Sequence, residues 1–70
     1  MFRVIEGYYC YKTNWRETKE EAIQEAIDFF RDWEDFQEDY EANCEEGETF
    51  DEFWKKNILE GANFFYLDEV

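Results

Sequence analysis

Ala22, Ala26, Phe29, Trp33, Phe36 and Tyr40 recur at alternating spacings of four and three. Residues spaced this way stack on one face of an α-helix. Ile23, Ile27 and Phe30 widen the stripe over its first half. The series predicts one long amphipathic helix from Thr18 to Glu46, with a side that needs a core. At 1.5 Å per residue such a helix is about 40 Å long. The rest of its circumference is acidic. Glu21, Glu25, Asp28, Asp32, Asp35 and Asp39 repeat the spacing along one flank. Glu34, Glu38, Glu41 and Glu45 line the other flank of the second half.

The start of this helix is well marked. Thr18-x-x-Glu21 has the form of a capping box, and Glu20 and Glu21 suit the positive end of the helix dipole. The second half violates the same rules. Glu41, Glu45 and Glu46 sit at the wrong end of the dipole, and carboxylates four apart repel by a few tenths of a kcal/mol per pair. A bend near Trp33–Asp35, or fraying after Tyr40, would relieve this. Gly47, in the turn Glu46-Gly47-Glu48, is the expected C-terminal stop.

The flanking segments read as β and α. Phe2 to Thr13 is rich in Val, Ile and Tyr and suits a pleated surface. Neither alternating set in it is cleanly apolar, so its register stays open. Gly7 marks a bulge or a hairpin turn, and one long or kinked strand is preferred because Glu-Gly is a weak hairpin signal. Thr49-x-x-Glu52 opens a second helix, with Phe50, Phe53, Trp54 and Ile58 on its apolar side and Gly61 at its end. Ala62 to Leu67 is a short apolar run, expected to pair with the first strand. The expected fold is α+β, in the order β-α-α-β. A small antiparallel sheet of two or three strands packs on the long acidic helix and the short one, as a single domain over 1–70. Trp15 is expected as a lid at the core's edge, with an interface anchor as its alternative.

Composition narrows the function. The chain holds twenty acids and seven bases, a net charge of −13. Residues 17–52 carry sixteen acids against Lys19 and Arg31, and from Asp32 to Glu52 there are eleven acids and no base. Charge of one sign at this density opposes compaction and repels phosphates, so DNA, RNA and anionic membranes are poor partners and a basic protein is a good one. Sixteen of the seventy residues are aromatic, enough for a compact core in so short a chain. No stretch approaches the roughly 18–20 apolar residues of a membrane span and no leader pattern is present, so the expected location is cytoplasmic. Cys10 and Cys44 lie far apart without CxxC spacing and are expected as free thiols.

Enzymatic and cofactor readings have little to rest on. The chain has no His and no Ser. Ser–His and Cys–His arrangements are therefore absent, as are Cys/His zinc clusters and the spacing of a calcium loop. A non-enzymatic protein with no cofactor and no metal is expected.

The acidic-aromatic run Trp33-Glu-Asp-Phe-Gln-Glu-Asp-Tyr-Glu41 resembles runs found in antirestriction proteins. In size, charge and aromatic content the whole chain resembles the small acidic inhibitors made by phages and mobile elements, among them anti-CRISPR proteins and uracil-DNA glycosylase inhibitors. The resemblance implies a DNA mimic, most simply an anti-CRISPR, that occupies the groove of a CRISPR effector or another defence nuclease. Carboxylates alternating by three and four recur about every 5 Å along a helix, comparable to phosphates along a DNA strand. The candidate partner-binding residues are Asp28, Asp32, Glu34, Asp35, Glu38, Asp39, Glu41 and Glu45, extended by Glu46, Glu48, Asp51 and Glu52. The alternative is an adaptor or antitoxin-like module that binds a protein through exposed aromatics such as Trp15 or Trp54. Self-association through the aromatic seam is a third reading, so a monomer or weak dimer is expected.

Overall fold

The computed structural model describes residues 1–70. Three strands and three helices follow in the order β1 (Phe2–Glu6), β2 (Tyr11–Lys12), α1 (Lys19–Phe30), α2 (Glu34–Asn43), α3 (Phe50–Glu60) and β3 (Phe65–Glu69). The class is α+β. The sheet is antiparallel throughout, in the order β2-β1-β3. On β1, Val4 and Glu6 turn toward the helices and are buried. They stand opposite Leu67 and Phe65 of β3. The other face carries Arg3 against Asp68 and Ile5 against Tyr66.

Phe2 to Thr13 is not one strand. The chain reverses at Gly7–Cys10 and returns as β2. Two local features make this turn without an Asn-Gly signal. The buried Glu6 carboxylate accepts the Tyr9 amide at 2.6 Å, and Cys10 takes a left-handed φ of 60°. Beyond β2 the edge continues irregularly. Thr13 exchanges backbone bonds with Val4 through both its amide and its hydroxyl, and Phe2 and Arg16 pair as an isolated bridge. Trp15 is half-buried, with the Arg3 guanidinium 4.4 Å above its ring. It lies on the outer side of the sheet and is not among the side chains packed against the core, so it does not form the expected lid.

The long helix is two helices. After Phe30 the chain passes through Arg31 and Asp32, and Trp33 is extended at φ −79°, ψ 127°. The Trp33 amide closes on the Phe30 carbonyl at 3.0 Å, and the Gln37 side-chain amide donates to the Arg31 carbonyl at 2.7 Å. Packing explains the break. Phe30 and Phe36 would lie roughly 120° apart around a continuous helix. Across the break their rings stack at 4.2 Å, and both are core residues. A straight helix of about 40 Å would also overrun a molecule only 35 Å in its longest dimension. Finally, splitting the helix places Glu34 and Asp35 in a first turn, the end of the dipole that favours acids.

The split changes which residues are core. Ala22, Ile23, Ala26, Ile27 and Phe30 are buried on α1, whereas Phe29 is 46% exposed and stacks on Tyr11 at 4.0 Å. Of the seam expected for self-association, Ala22, Ala26 and Phe36 are in the core, Trp33 and Tyr40 are partly buried against it, and Phe29 stays exposed. Trp54 is only 2% exposed and donates its indole N–H to the Phe36 carbonyl at 3.3 Å. It is a core residue and not a surface anchor. Tyr40 packs edge-on against Phe50 and Phe53.

Helix ends follow the sequence in part. At Thr18 the hydroxyl accepts the Glu21 amide, but the Glu21 carboxylate meets the Thr18 hydroxyl and Arg16 instead of closing a capping box. The box at Thr49 and Glu52 is complete. Gly61 ends α3 in the left-handed region at φ 72°. Gly47 does not end a helix. α2 stops at Asn43, and Gly47 lies in a later turn closed by the Glu48 amide on the Glu45 carbonyl. β3 begins at Phe65 and not at Ala62, because Asn63 and Phe64 are spent in left-handed conformations at φ 54° and 66°. Cys10 and Cys44 are both free thiols. No helix is long and apolar enough to cross a membrane.

Candidate protein-binding surface

The bases divide the twelve candidate carboxylates into two groups. Arg31, in the break, pairs with Asp28 at 2.9 Å and Asp51 at 2.7 Å. It thereby ties α1 to α3, and Gln24 donates to the same two carboxylates at 3.1 Å. The guanidinium holds the Asp51 carboxyl below its ordinary range. Lys56 reaches Glu48 at 3.0 Å, while its contact with the exposed Glu45 is long at 3.8 Å. The Glu48 carboxylate also accepts the Glu45 amide, and these two bonds lower its pKa. Glu52 closes the Thr49 cap. Asp28, Asp51, Glu48 and Glu52 are thus engaged in holding the fold.

The α2 carboxylates are different. Glu34, Asp35, Glu38, Asp39 and Glu41 are all exposed, and none forms an ion pair. Asp32 precedes them in the break, and Glu46 follows in the turn. Both are exposed and unpaired as well. Glu34, Glu38 and Glu41 follow one another along the helix, and repulsion shows in the middle one. The charge of Glu34, with burial and Asp35 and Glu41 adding to it, pushes the Glu38 carboxyl up. The continuous flank expected from Glu21 to Asp39 does not exist. Glu21 and Glu25 of α1 bind Arg16 from the segment before it, and the break turns Asp35 and Asp39 onto a separate helix.

A cleft of about 310 Å³ opens beside this helix. One side is α2, with Asp35, Glu38 and Asp39. The others are the Gly7–Cys10 turn, with Tyr8 and Tyr9, and the α3–β3 turn, with Asn63 and Phe64. Phe36, Trp54 and the buried Glu6 also line it. Tyr9 joins two of its walls, since its amide donates to Glu6 and its hydroxyl donates to Asp35 at 2.8 Å. That bond holds the phenol protonated and pushes its pKa up to about 12. Tyr8 and Phe64 are 66% and 61% exposed, with ring centroids 5.6 Å apart.

Sequence reasoning missed this cleft. Strand alternation gave no signal for it, because Tyr8, Tyr9 and Phe64 stand in turns and not in strands. Nowhere do three or more His, Cys, Asp or Glu side chains stand close enough to hold a metal ion. Against known proteins, no family model, no curated protein and no solved structure matches the chain.

Proposed function

We propose that this protein is a DNA-mimic inhibitor without enzymatic activity. It binds the basic nucleic-acid groove of another protein, most simply that of a CRISPR effector or another defence nuclease. One observation carries this reading: α2 presents five exposed carboxylates with no basic partner, while all three arginines and Lys56 are committed elsewhere in the fold. A solvated acidic helix gains stability from intrachain ion pairs, and α2 has none. Its charge is available to Lys and Arg side chains that otherwise hold phosphates. Ten residues span about 15 Å, so the helix matches roughly four or five phosphates of one strand at 3.4 Å per step. Asp32 and Glu46 extend the row at its ends.

The test is competition with duplex DNA for purified CRISPR effectors and restriction nucleases. The variant combines Glu34→Gln, Asp35→Asn, Glu38→Gln, Asp39→Asn and Glu41→Gln. The native protein is expected to displace DNA from one of these enzymes, less effectively as salt rises. The variant is expected to lose that ability. Undiminished inhibition by the folded variant rules the mimicry out.

The exposure of Tyr8 and Phe64 favours a second reading, an adaptor that binds a protein through aromatic contacts. Such binding survives charge neutralisation and fails when Tyr8 and Phe64 become Ala.

A further inference from the structure

We propose that the cleft between the Gly7–Cys10 turn, α2 and the α3–β3 turn is a receptor for one arginine side chain of the partner, with Glu6 at its floor. This deepens the reading above, because it rests on a basic protein partner and assigns one of that partner's side chains a specific seat.

Glu6 sets the chemistry. It is 2% exposed, and no basic side chain lies within ion-pair reach of it. One oxygen accepts the Tyr9 amide, and the other makes no hydrogen bond within the chain. No fully occluded side-chain oxygen in the protein lacks a partner. That second oxygen is therefore open to the cleft that Glu6 lines. Burying a carboxylate without a counter-charge is costly, and a cation entering the cleft removes the cost.

The walls specify the kind of cation. Three or more carboxylates do not converge closely enough for a metal ion. Asp35, Glu38 and Asp39 instead line the cleft from α2, with Asp35 also accepting the Tyr9 hydroxyl, an acidic wall suited to an extended cation. The exposed rings of Tyr8 and Phe64 line the cleft side by side, with centroids 5.6 Å apart. A guanidinium stacks on aromatic faces and meets a carboxylate with a planar fork, which a lysine ammonium does not. The backbone supports this geometry. Phe64 is a bulky residue held at φ 66° and exposed, a conformation that is unfavourable unless the surroundings enforce it. Its effect is to stand the Phe64 ring at the rim while the adjacent Phe65 fills the core.

The experiment is a titration of the isotopically labelled protein with the peptide acetyl-Gly-Arg-Gly-amide, followed by NMR. The citrulline peptide, a neutral analogue of the same shape, is the control. Saturable shifts are expected at Tyr8, Tyr9, Phe64 and the Trp54 indole. The arginine peptide should bind at least about tenfold tighter than the citrulline one, the factor a charge-assisted hydrogen bond supplies. Glu6→Gln should abolish the difference, and Phe64→Ala, on the exposed rim, should weaken binding without disturbing the fold. Glu17→Gln with Glu20→Gln, outside both the cleft and the acidic surface of α2, should leave it within about twofold. If Glu6→Gln unfolds the chain, Phe64→Ala decides. Equal binding of both peptides, shifts spread evenly along α2, or no saturation overturns the proposal. No nuclease enters this titration, so its failure leaves the DNA-competition result standing, and the reverse also holds.

Discussion

The Tyr9 hydroxyl donates to Asp35 Oδ2 at 2.8 Å and so fastens the first turn of the sheet to the first turn of α2. The Tyr9 ring lies over the helix break, 4.8 Å from the Trp33 ring and 6.2 Å from those of Phe30 and Phe36. One residue thereby closes the joint between the two helices and forms one wall of the cleft.

This bond has a signature at high pH. The folded chain holds the Tyr9 proton more tightly than the unfolded chain, with a pKa of about 12 against an ordinary 10. The stabilisation is therefore complete below about pH 10 and is lost as pH rises toward 12. A site-resolved NMR titration of labelled tyrosine should find this late-titrating phenol in the native protein. Asp35→Asn should bring it back toward the ordinary value. A phenol unmoved by that change would show that Asp35 is not the cause.

Phe36 is the residue on which the break depends. It stacks on Phe30 and reaches Trp54 at 4.7 Å, while its carbonyl accepts the Trp54 indole. Phe36→Ala should cost about 3–5 kcal/mol. Stability of roughly 0.1 kcal/mol per residue puts the whole domain at roughly 7 kcal/mol. The variant should thus unfold at a far lower urea midpoint, with the Trp54 environment lost first. A shift worth under about 1 kcal/mol would mean that α2 is peripheral to the core.

The residues around Phe36 also show what was legible in the sequence. The 4-3 series, widened by Ile23, Ile27 and Phe30, located the helical stretch and six of the eleven core residues, because period and burial are linked by backbone geometry. The series alone did not require the break, because Phe29, Trp33 and Phe36 fit one stripe on a straight helix as well as on a bent one; the misplaced acids pointed to a bend near Trp33–Asp35, and the chain does turn at Trp33. What decides between them is the stacking of Phe30 on Phe36, a contact made only after the chain turns. α3 was legible throughout, since the Thr49 box and Gly61 act locally. The turn at Gly7–Cys10 was not, since it relies on a buried carboxylate, Glu6, binding a backbone amide. Charge density located the acidic surface. It could not separate Asp28 and Asp51, which Arg31 engages from a distance in sequence, from the unpaired carboxylates of α2.

Arg31 joins three elements, through Asp28 on α1, Asp51 on α3 and its own place in the break. Arg31→Met removes the cation and keeps much of the side-chain length. Both partners are well exposed, so screening limits the expected loss to roughly 0.5–1 kcal/mol. The sign with pH follows from Asp51, whose folded carboxyl lies below its ordinary 3.8. Its stabilisation is present above that value and lost as pH falls through the depressed one. The difference between native and Arg31→Met stability should therefore shrink in acid and in high salt. A difference that persists in both would assign the loss to packing of the Arg31 stem and not to charge.

Glu38 gives the opposite sign and connects stability to function. Its carboxyl is raised first by the charge of Glu34 and further by burial, Asp35 and Glu41. The protonated form is favoured in the fold, so that contribution is present below the ordinary carboxylate range and lost as pH rises through the raised value. At neutral pH the charged form strains α2. Glu38→Gln should raise the thermal midpoint at pH 7, and the gain should fade as pH falls through the carboxylate range. Added salt should reduce it too, because repulsion between exposed charges is screened. A surface retained for binding a basic groove makes a joint demand: the same substitution should stabilise the protein and weaken its competition with DNA. Thermal unfolding and DNA displacement measured on the one variant supply both readouts. Stabilisation without any loss of competition would remove Glu38 from the binding surface, and loss of both would mark it as structural.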